Sequence, residues 1–489
     1  MSKVPDSAGD PPVSPAPGRV EFTPQMIRIL AGLMISLFIA AMDSTIVSTA
    51  LPTIARQLGG FQLYPWVFSG YLLTSTTTVP LWGRAADLVG RKPVLMAGLA
   101  VFVLASVLCG LSPNMPALIA FRALQGVGAG CVQPLVFTLV GDVLPPGQRA
   151  RMQGLFSSMW ALAAISGPAL GATIVSTIGW RWIFDLNLPV GIVAVALLFG
   201  FRERAPERGA RGRLDPRGAL LLTAGVAGLL IGLGTGSATA SPIWPLVAAS
   251  ALILGAFVWI ELKSSNATVP LDLLRHPVIG PAVLVVALSG MVQFGITAYA
   301  PLYVQQVLGG TPFAAGWSVT PMSIGWSTAS ALAGWNLVRV GYQRLVGLGG
   351  VFLVVGTLMA TFSSARLGVT WVALASAVVG IGLGMFSAPI IIVIQASVSW
   401  SRRGSATALN QLARTIGGAV GVSILGVLVQ GYVFRAGSHD PTAALGAGIH
   451  AAFLVLLATA LLTLLAGLGL LLRPQPAGPP GTDAARAET

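Results

Sequence analysis

Between Val94 and Leu111 the chain runs through eighteen residues without one charged side chain. A helix needs about 20 mostly apolar residues to cross the hydrocarbon of a bilayer, where every backbone polar group must be satisfied within the segment itself. Comparable runs recur from about residue 26 to about residue 472, separated by short polar breaks. Of the 489 residues 55% are hydrophobic and 9% charged, against about 25% charged in a soluble protein. The expected class is an all-α polytopic membrane protein.

The net charge of +13 does not mark a nucleic-acid surface, because the cations fall between apolar runs and not on one basic face. Most of the 28 Lys and Arg lie in the two tails and in alternate loops, including the Arg202 to Arg217 run. The opposite loops hold only Arg56, Arg181, Arg366 and Arg435. The positive-inside rule then places both tails, residues 1–25 and 473–489, in the cytoplasm, and the uncharged Gly234 to Pro245 segment outside. Fourteen spans are expected: six within 26–200, two within 201–278 behind a cytoplasmic loop, and six within 279–472. Residues 1–24 lack the charged start, apolar core and cleavage site of a signal peptide, so the first span is expected to be retained. Cys109 and Cys131 lie in apolar runs with no metal-ligand spacing and read as small packing residues.

A charged turn, Gly83-Arg84-Ala85-Ala86-Asp87-Leu88-Val89-Gly90-Arg91-Lys92, separates two of these runs. Its glycines permit a tight turn, and Asp87 among cations can cap a helix end or lock it to a neighbour. An ordinary positive loop is the plainer reading. The spacing returns: Gly83 and Gly90 recur as Gly334 and Gly341, 251 residues on, and Gly167 and Gly171 recur as Gly417 and Gly421, 250 residues on. Two pairs at nearly one offset indicate two related six-span halves, with the two middle spans as an insertion. Repeated halves are a common build for secondary transporters, whose substrate path lies at the interface of the halves.

Ionisable groups inside spans are costly and by default functional. The strong candidates here are Asp43, Arg122, Asp185 and Arg414. Asp43 lies about 25 Å from the cytoplasmic start of its span at 1.5 Å per residue. Arg122 and Asp185 follow entries from the outside by one or two turns, so one outer cluster is expected, in which two carboxylates share a guanidinium. A carboxylate beside arginine keeps its charge, whereas one left desolvated takes up a proton more readily. One of the two is therefore expected to carry the proton. Solvation at an interface marked by Trp180 and Trp182 is the other reading of Asp185. Gln125, Gln133, Asn187, Gln293, Tyr299, Gln305, Gln395 and Asn410 either line a substrate cavity or bridge helices. Trp66, Trp160, Met291, Phe294 and Trp317 either wall a broad apolar site or face lipid and neighbouring helices.

Four stretches together resemble the major facilitator superfamily, and within it the fourteen-span drug:proton antiporters. Gly83, Ala86, Asp87, Gly90, Arg91, Lys92 and Leu95 match the loop signature, with Ala85 and Leu88 departing from it. Arg122-Ala123-Leu124-Gln125-Gly126-Val127-Gly128 resembles the fourth-span signature. Gly154 with Gly167-Pro168-Ala169-Leu170-Gly171 resembles the fifth-span antiporter signature, although Ala163 and Ala172 stand where glycine is usual. Asp43-Ser44-Thr45-Ile46-Val47 with Ala50-Leu51-Pro52 resembles a first-span motif of the fourteen-span group. The fifth-span residues also form a surface of small side chains with a helix-breaking point, so a plain packing seam stands beside the antiport role that the resemblance implies.

The resemblance implies two six-helix halves of the major facilitator type plus two inserted helices, and a proton-coupled exporter of small amphipathic or cationic compounds. Asp43 and Arg122, and Asp185 from its place inside a span and not from any motif, are expected to serve proton coupling, and Gly83, Asp87, Gly90, Arg91, Asp142, Gly167, Pro168 and Gly171 are expected to serve gating. A proton gradient drives the cycle without a cofactor. The sequence has no phosphate loop ending in Gly-Lys-Ser or Gly-Lys-Thr, and the glycines from Gly126 to Gly130 lie within an apolar span. The partners expected are a small-molecule substrate, protons and the lipid bilayer, without nucleic acid, for a monomer in a bacterial inner membrane. Export of a lipid or amphipathic metabolite is the alternative, since the same cavity would accept one. A sensor or scaffold that transports nothing has no soluble signalling domain to support it.

Overall fold

The computed structural model describes residues 23–143, 146–200, 216–235, 244–263, 271–398, 403–436 and 440–471. The two tails, most of the Arg202 to Arg217 run and most of the Gly234 to Pro245 segment lie outside them. The described residues form helices with no strand among them: α1 (Pro24–Leu58), α2 (Tyr64–Thr77), α3 (Val79–Val89), α4 (Arg91–Gly110), α5 (Met115–Val143), α6 (Pro146–Thr177), α7 (Trp182–Asp185), α8 (Asn187–Phe199), α9 (Pro216–Thr235), α10 (Trp244–Lys263), α11 (Ile279–Gln306), α12 (Pro312–Val340), α13 (Tyr342–Thr361), α14 (Gly368–Ala396), α15 (Arg403–Ala436) and α16 (Pro441–Leu471). Thr78 keeps a helical backbone between α2 and α3, and Leu186 does so between α7 and α8, so each pair is one interrupted rod. Among the described residues nine segments are long and apolar enough to cross a membrane.

The repeat read from the glycines is present in the backbone. Gly90 has φ 108° and ψ 151°, and Gly341 has φ 83° and ψ 145°. Only glycine adopts that region without strain. Each ends one helix and starts another of 20 residues, α4 after Gly90 and α13 after Gly341. Gly83 and Gly334 do something else: a Cβ on either would meet nothing within 4 Å, so the tightness of the turn belongs to the second glycine of each pair. Lys92 donates from Nζ to the Phe199 carbonyl at 2.7 Å, placing a cation on the last turn of α8. Arg91 is partly buried beside it. Asp87 lies in α3 and Asp142 in α5, and their side chains are outside the description.

The second glycine repeat sets helix packing. A Cβ on Gly167 would stand 2.0 Å from Thr45 Oγ1, and one on Gly171 2.8 Å from Ile46 Cγ1, so α6 lies directly on α1. In the other half a Cβ on Gly417 would stand 2.0 Å from the Ala287 carbonyl and one on Gly421 2.3 Å from Met291 Cγ, so α15 lies on α11 in the same way. Close approach of backbones is what small residues provide in a membrane, where apolar burial alone does not drive helices together. Met291 and Phe294 fill this α11–α15 contact, Phe294 against Gly418, so of their two readings it is the one of packing against a neighbouring helix that the geometry shows.

Two seams join the halves. Along one, α2 meets α15: Ser69 bonds the Ala419 carbonyl at 3.2 Å and the Ser423 hydroxyl at 3.0 Å. Along the other, α6 meets α12, where a Cβ on Gly316 would come within 2.8 Å of Pro168 Cβ. Gly167 therefore faces its own half while Pro168 faces the other. The end of the molecule where α1 and α11 finish is further clasped: Gln305 accepts from Thr53 at 3.1 Å and donates to the Thr49 carbonyl at 3.0 Å, and Tyr64 donates to the Ala298 carbonyl at 2.9 Å. The α9–α10 hairpin leans on this body through α9, which packs on both α2 and α15 and so lies along the first seam.

Candidate functional site

α1 and α5 meet at a buried ion pair. Arg122 Nη1 donates to Asp43 Oδ2 at 2.6 Å, and neither side chain is exposed. The same Nη1 donates to Gln125 Oε1 at 2.7 Å, and Gln125 Nε2 returns a bond to Asp43 Oδ1 at 2.9 Å. Because Gln125 follows Arg122 by one turn, a single face of α5 supplies both. Asn187, at the start of α8, donates to Asp43 Oδ1 at 3.2 Å and to Ser106 Oγ of α4 at 2.7 Å. Ser106 in turn donates to the Phe184 carbonyl at 2.9 Å. Four helices thus converge on one carboxylate.

The guanidinium is held more loosely than the carboxylate. Its carbon lies 4.1 Å from the centre of the Tyr71 ring, a cation over an aromatic face. Its Nε and Nη2 have no hydrogen-bond partner. Asp43 is the only carboxylate it pairs with among the described residues. A buried charge with a single partner depends on that partner, since an uncompensated ion in low dielectric costs several kcal/mol.

The expected cluster of two carboxylates around Arg122 is corrected in its second member. Asp185 is only partly buried and sits at the end of α4, where a Cβ on Gly110 would come within 2.9 Å of its Oδ1. Asn187, two residues later and on the adjoining helix, fills the place instead. Trp180 is corrected as well: it is 1% exposed and donates to Gln57 Oε1 at 2.8 Å, whereas Trp182 is 54% exposed and fits an interface. Gln125 and Asn187 both bond the ion pair. Tyr299 donates to the Val422 carbonyl at 3.2 Å and Gln395 to Thr407 at 3.0 Å, both bridging helices, while Gln305 clasps the halves. Gln133 and Gln293 are partly buried, and the Oε1 of Gln293 and Oδ1 of Asn410 are buried without partners.

Tyr71 and Ser106 were not legible as members of this site. Ser106 left a trace, as the one hydroxyl in the apolar run from Val94 to Leu111. Nothing in the sequence around Tyr71 separates it from a packing aromatic. Cys109 and Cys131 are both free and buried; Cys131 fills the space beside Gly98, as a packing residue does.

A helical membrane protein made of two repeated halves, with a charge pair sealed inside one of them, has the build of a transporter. Comparison gives the family: residues 33–422 match the Major Facilitator Superfamily, and the chain belongs to it. The chain is 33% identical over 412 residues to the multidrug transporter protein MdtP of Bacillus subtilis (strain 168), covering 82% of this chain and 75% of that protein. It is 29% identical over 416 residues to multidrug resistance protein 3 of the same organism, covering 84% and 81%. Among solved structures, an inward-facing, unoccupied bacterial homologue of the human lysosomal transporter Spinster matches with a TM-score of 0.67 at 16% identity, over 92% of this chain and 98% of that one. A D-xylose-proton symporter matches with a TM-score of 0.63 at 16% identity, over 93% and 98%. At that identity the likeness is one of fold. The protein is an integral membrane transporter.

Proposed function

We propose that this protein is a fourteen-span, proton-coupled antiporter that exports small amphipathic compounds by alternating access, with both termini in the cytoplasm of a bacterial cell. The observation that carries the reading is the sealed Asp43–Arg122 pair. A proton arriving on Asp43 removes the charge that Arg122 depends on, and a buried arginine left alone is unstable by about 3–5 kcal/mol. The helices α1 and α5 then move to an arrangement that compensates it. α1 also touches α11 and α12 of the other half, so such a movement reaches the contacts between the halves. Protons entering from outside thereby favour one orientation and substrate leaving favours the other. The names of the two Bacillus relatives support chemically varied cargo.

Asp43, not Asp185, is the coupling carboxylate in this reading, because Asp43 alone is tied to a charge whose state it changes. The test is flux into sealed vesicles holding purified protein, with an imposed pH difference and a panel of aromatic amphiphiles of either charge. Asp43→Asn is expected to lose gradient-driven accumulation while exchange at equal pH continues, with Asp43→Glu as the control that keeps the charge. Asp185→Asn is expected to retain at least about half of the driven flux. Driven flux that survives Asp43→Asn and vanishes in Asp185→Asn transfers coupling to Asp185. Wild-type protein that moves no member of the panel removes the transport reading for this class of compound.

A further inference from the structure

Arg414 has no counter-ion in its own half. Between residues 279 and 471 the only carboxylate in the sequence is Asp440, which is exposed and caps the start of α16 through the N–H groups of Thr442 and Ala443. Arg414 lies about one third of the way along α15, and among the described residues no carboxylate bridges it. Its Nη2 donates to Gln411 Oε1 at 2.6 Å, which orients the guanidinium without neutralising it. Its carbon lies 5.4 Å from the centre of the Trp326 ring of α12, and that ring is fixed by its own N–H, which donates to Ser387 of α14 at 3.0 Å. Nε has no partner.

The surroundings are built for a polar guest. Asn410, one turn before Arg414 and 8% exposed, keeps its Oδ1 unpartnered, as does Gln293 on α11 with its Oε1. Gly290 of α11 lies so close that a Cβ there would stand 2.1 Å from the Arg414 carbonyl, so α11 carrying Gln293 is pressed onto α15 at the Arg414 turn. Arg414 itself is only partly buried. A weakly hydrated, planar cation with a spare donor beside an aromatic face recognises a carboxylate, sulfonate or phosphate carried on an aromatic body. The same unpaired charge repels a cation, which is how a site discriminates by sign.

We propose that Arg414 and Trp326 form the polar end of the substrate site, and that its preferred ligands are amphipathic compounds bearing one anionic group. The proposal rests on the transport reading above and narrows its cargo to anionic amphiphiles, against the cationic compounds that the resemblance implied. The probes are 1-pyrenebutyrate and the trimethylammonium compound with the same ring and chain, titrated by fluorescence anisotropy into protein in lipid nanodiscs, with empty discs subtracted. Wild-type protein is expected to bind the carboxylate about tenfold or more tighter than the cation, the worth of one charge-assisted hydrogen bond. Arg414→Gln is expected to erase that preference while the cation binds as well as before or better. Arg414→Lys keeps the charge, loses the fork and retains part of the preference. Trp326→Leu, which leaves the charge in place, is expected to weaken carboxylate binding about threefold to fivefold, and together with Arg414→Lys it carries the test if Arg414→Gln does not fold. Equal affinity for the two probes, or a preference that survives Arg414→Gln, overturns the anion site. Vesicle flux of the same probes separates the two readings: flux of both charges without preference overturns the anion site and keeps transport, whereas selective binding without flux keeps the site and overturns transport.

Discussion

In the first half a buried arginine meets a carboxylate at 2.6 Å and is closed in by four helices; in the second half a partly buried arginine meets an amide and an indole. The backbones around them are repeats: Gly90 and Gly341 turn alike, and α6 lies on α1 as α15 lies on α11. Yet α11 and α14, which follow α1 and α5 by the repeat, contain no charged residue at all. The two halves share the features that set helix approach and do not share the charge pair. In the proposed cycle the two halves have separate tasks: one holds a charge that a proton cancels, and the other presents a charge that no carboxylate among the described residues cancels.

The largest expected effect tests that contrast directly. Asp43→Ala and Arg122→Ala are each expected to lower stability by about 3–5 kcal/mol, because each strands a buried ion. The double variant is expected to cost much less than the two together. Arg414→Ala, which strands nothing, is expected to cost under about 1 kcal/mol or to stabilise. Thermal unfolding in detergent reads all four, and a strict sum for the Asp43 and Arg122 pair would break the comparison.

A smaller effect asks how far the halves share their packing. A Cβ at Gly417 meets the backbone of Ala287, whereas one at Gly167 meets a threonine side chain that can turn away. Gly417→Ala is therefore expected to cost about 2–3 kcal/mol and Gly167→Ala nearer 1 kcal/mol, by the rule that overpacking costs more where nothing can yield. Melting temperatures of the two variants decide it, and the reverse order would show that α1 is the stiffer partner.

The smallest effect concerns the clasp between the halves. Gln305→Ala removes its bonds with Thr53 and the Thr49 carbonyl, worth about 1 kcal/mol each. It is expected to raise the population opened at that end about fivefold or more while lowering overall stability by no more than about 2 kcal/mol. Labelling of a single cysteine at the buried Ala55, in a background without Cys109 and Cys131, measures this in variant and parent. Unchanged labelling would mean that the α2–α15 and α6–α12 seams alone hold the end closed.

Much of this protein is local and was readable along the chain. Span length follows from hydrocarbon thickness, and the repeat follows from glycines that only a tight turn or a close helix contact requires, so Gly90, Gly341, Gly167 and Gly417 carried the halves in one dimension. The four ionisable residues inside spans were also visible, because lipid makes any such residue conspicuous. Which of them meet was not visible. Asp43 and Arg122 are 79 residues apart, and Asp185 and Asn187 are separated by half a helical turn, so the rotational setting of the α7–α8 rod decides whether a carboxylate or an amide reaches the Asp43–Arg122 pair. Rotation of a helix about its axis is set by side-chain packing against three or four neighbours at once, and no single stretch of sequence contains that sum. The same holds for Arg414: its sequence shows a cation in a span, and only the assembled bundle brings Trp326 to its face and leaves it without a carboxylate.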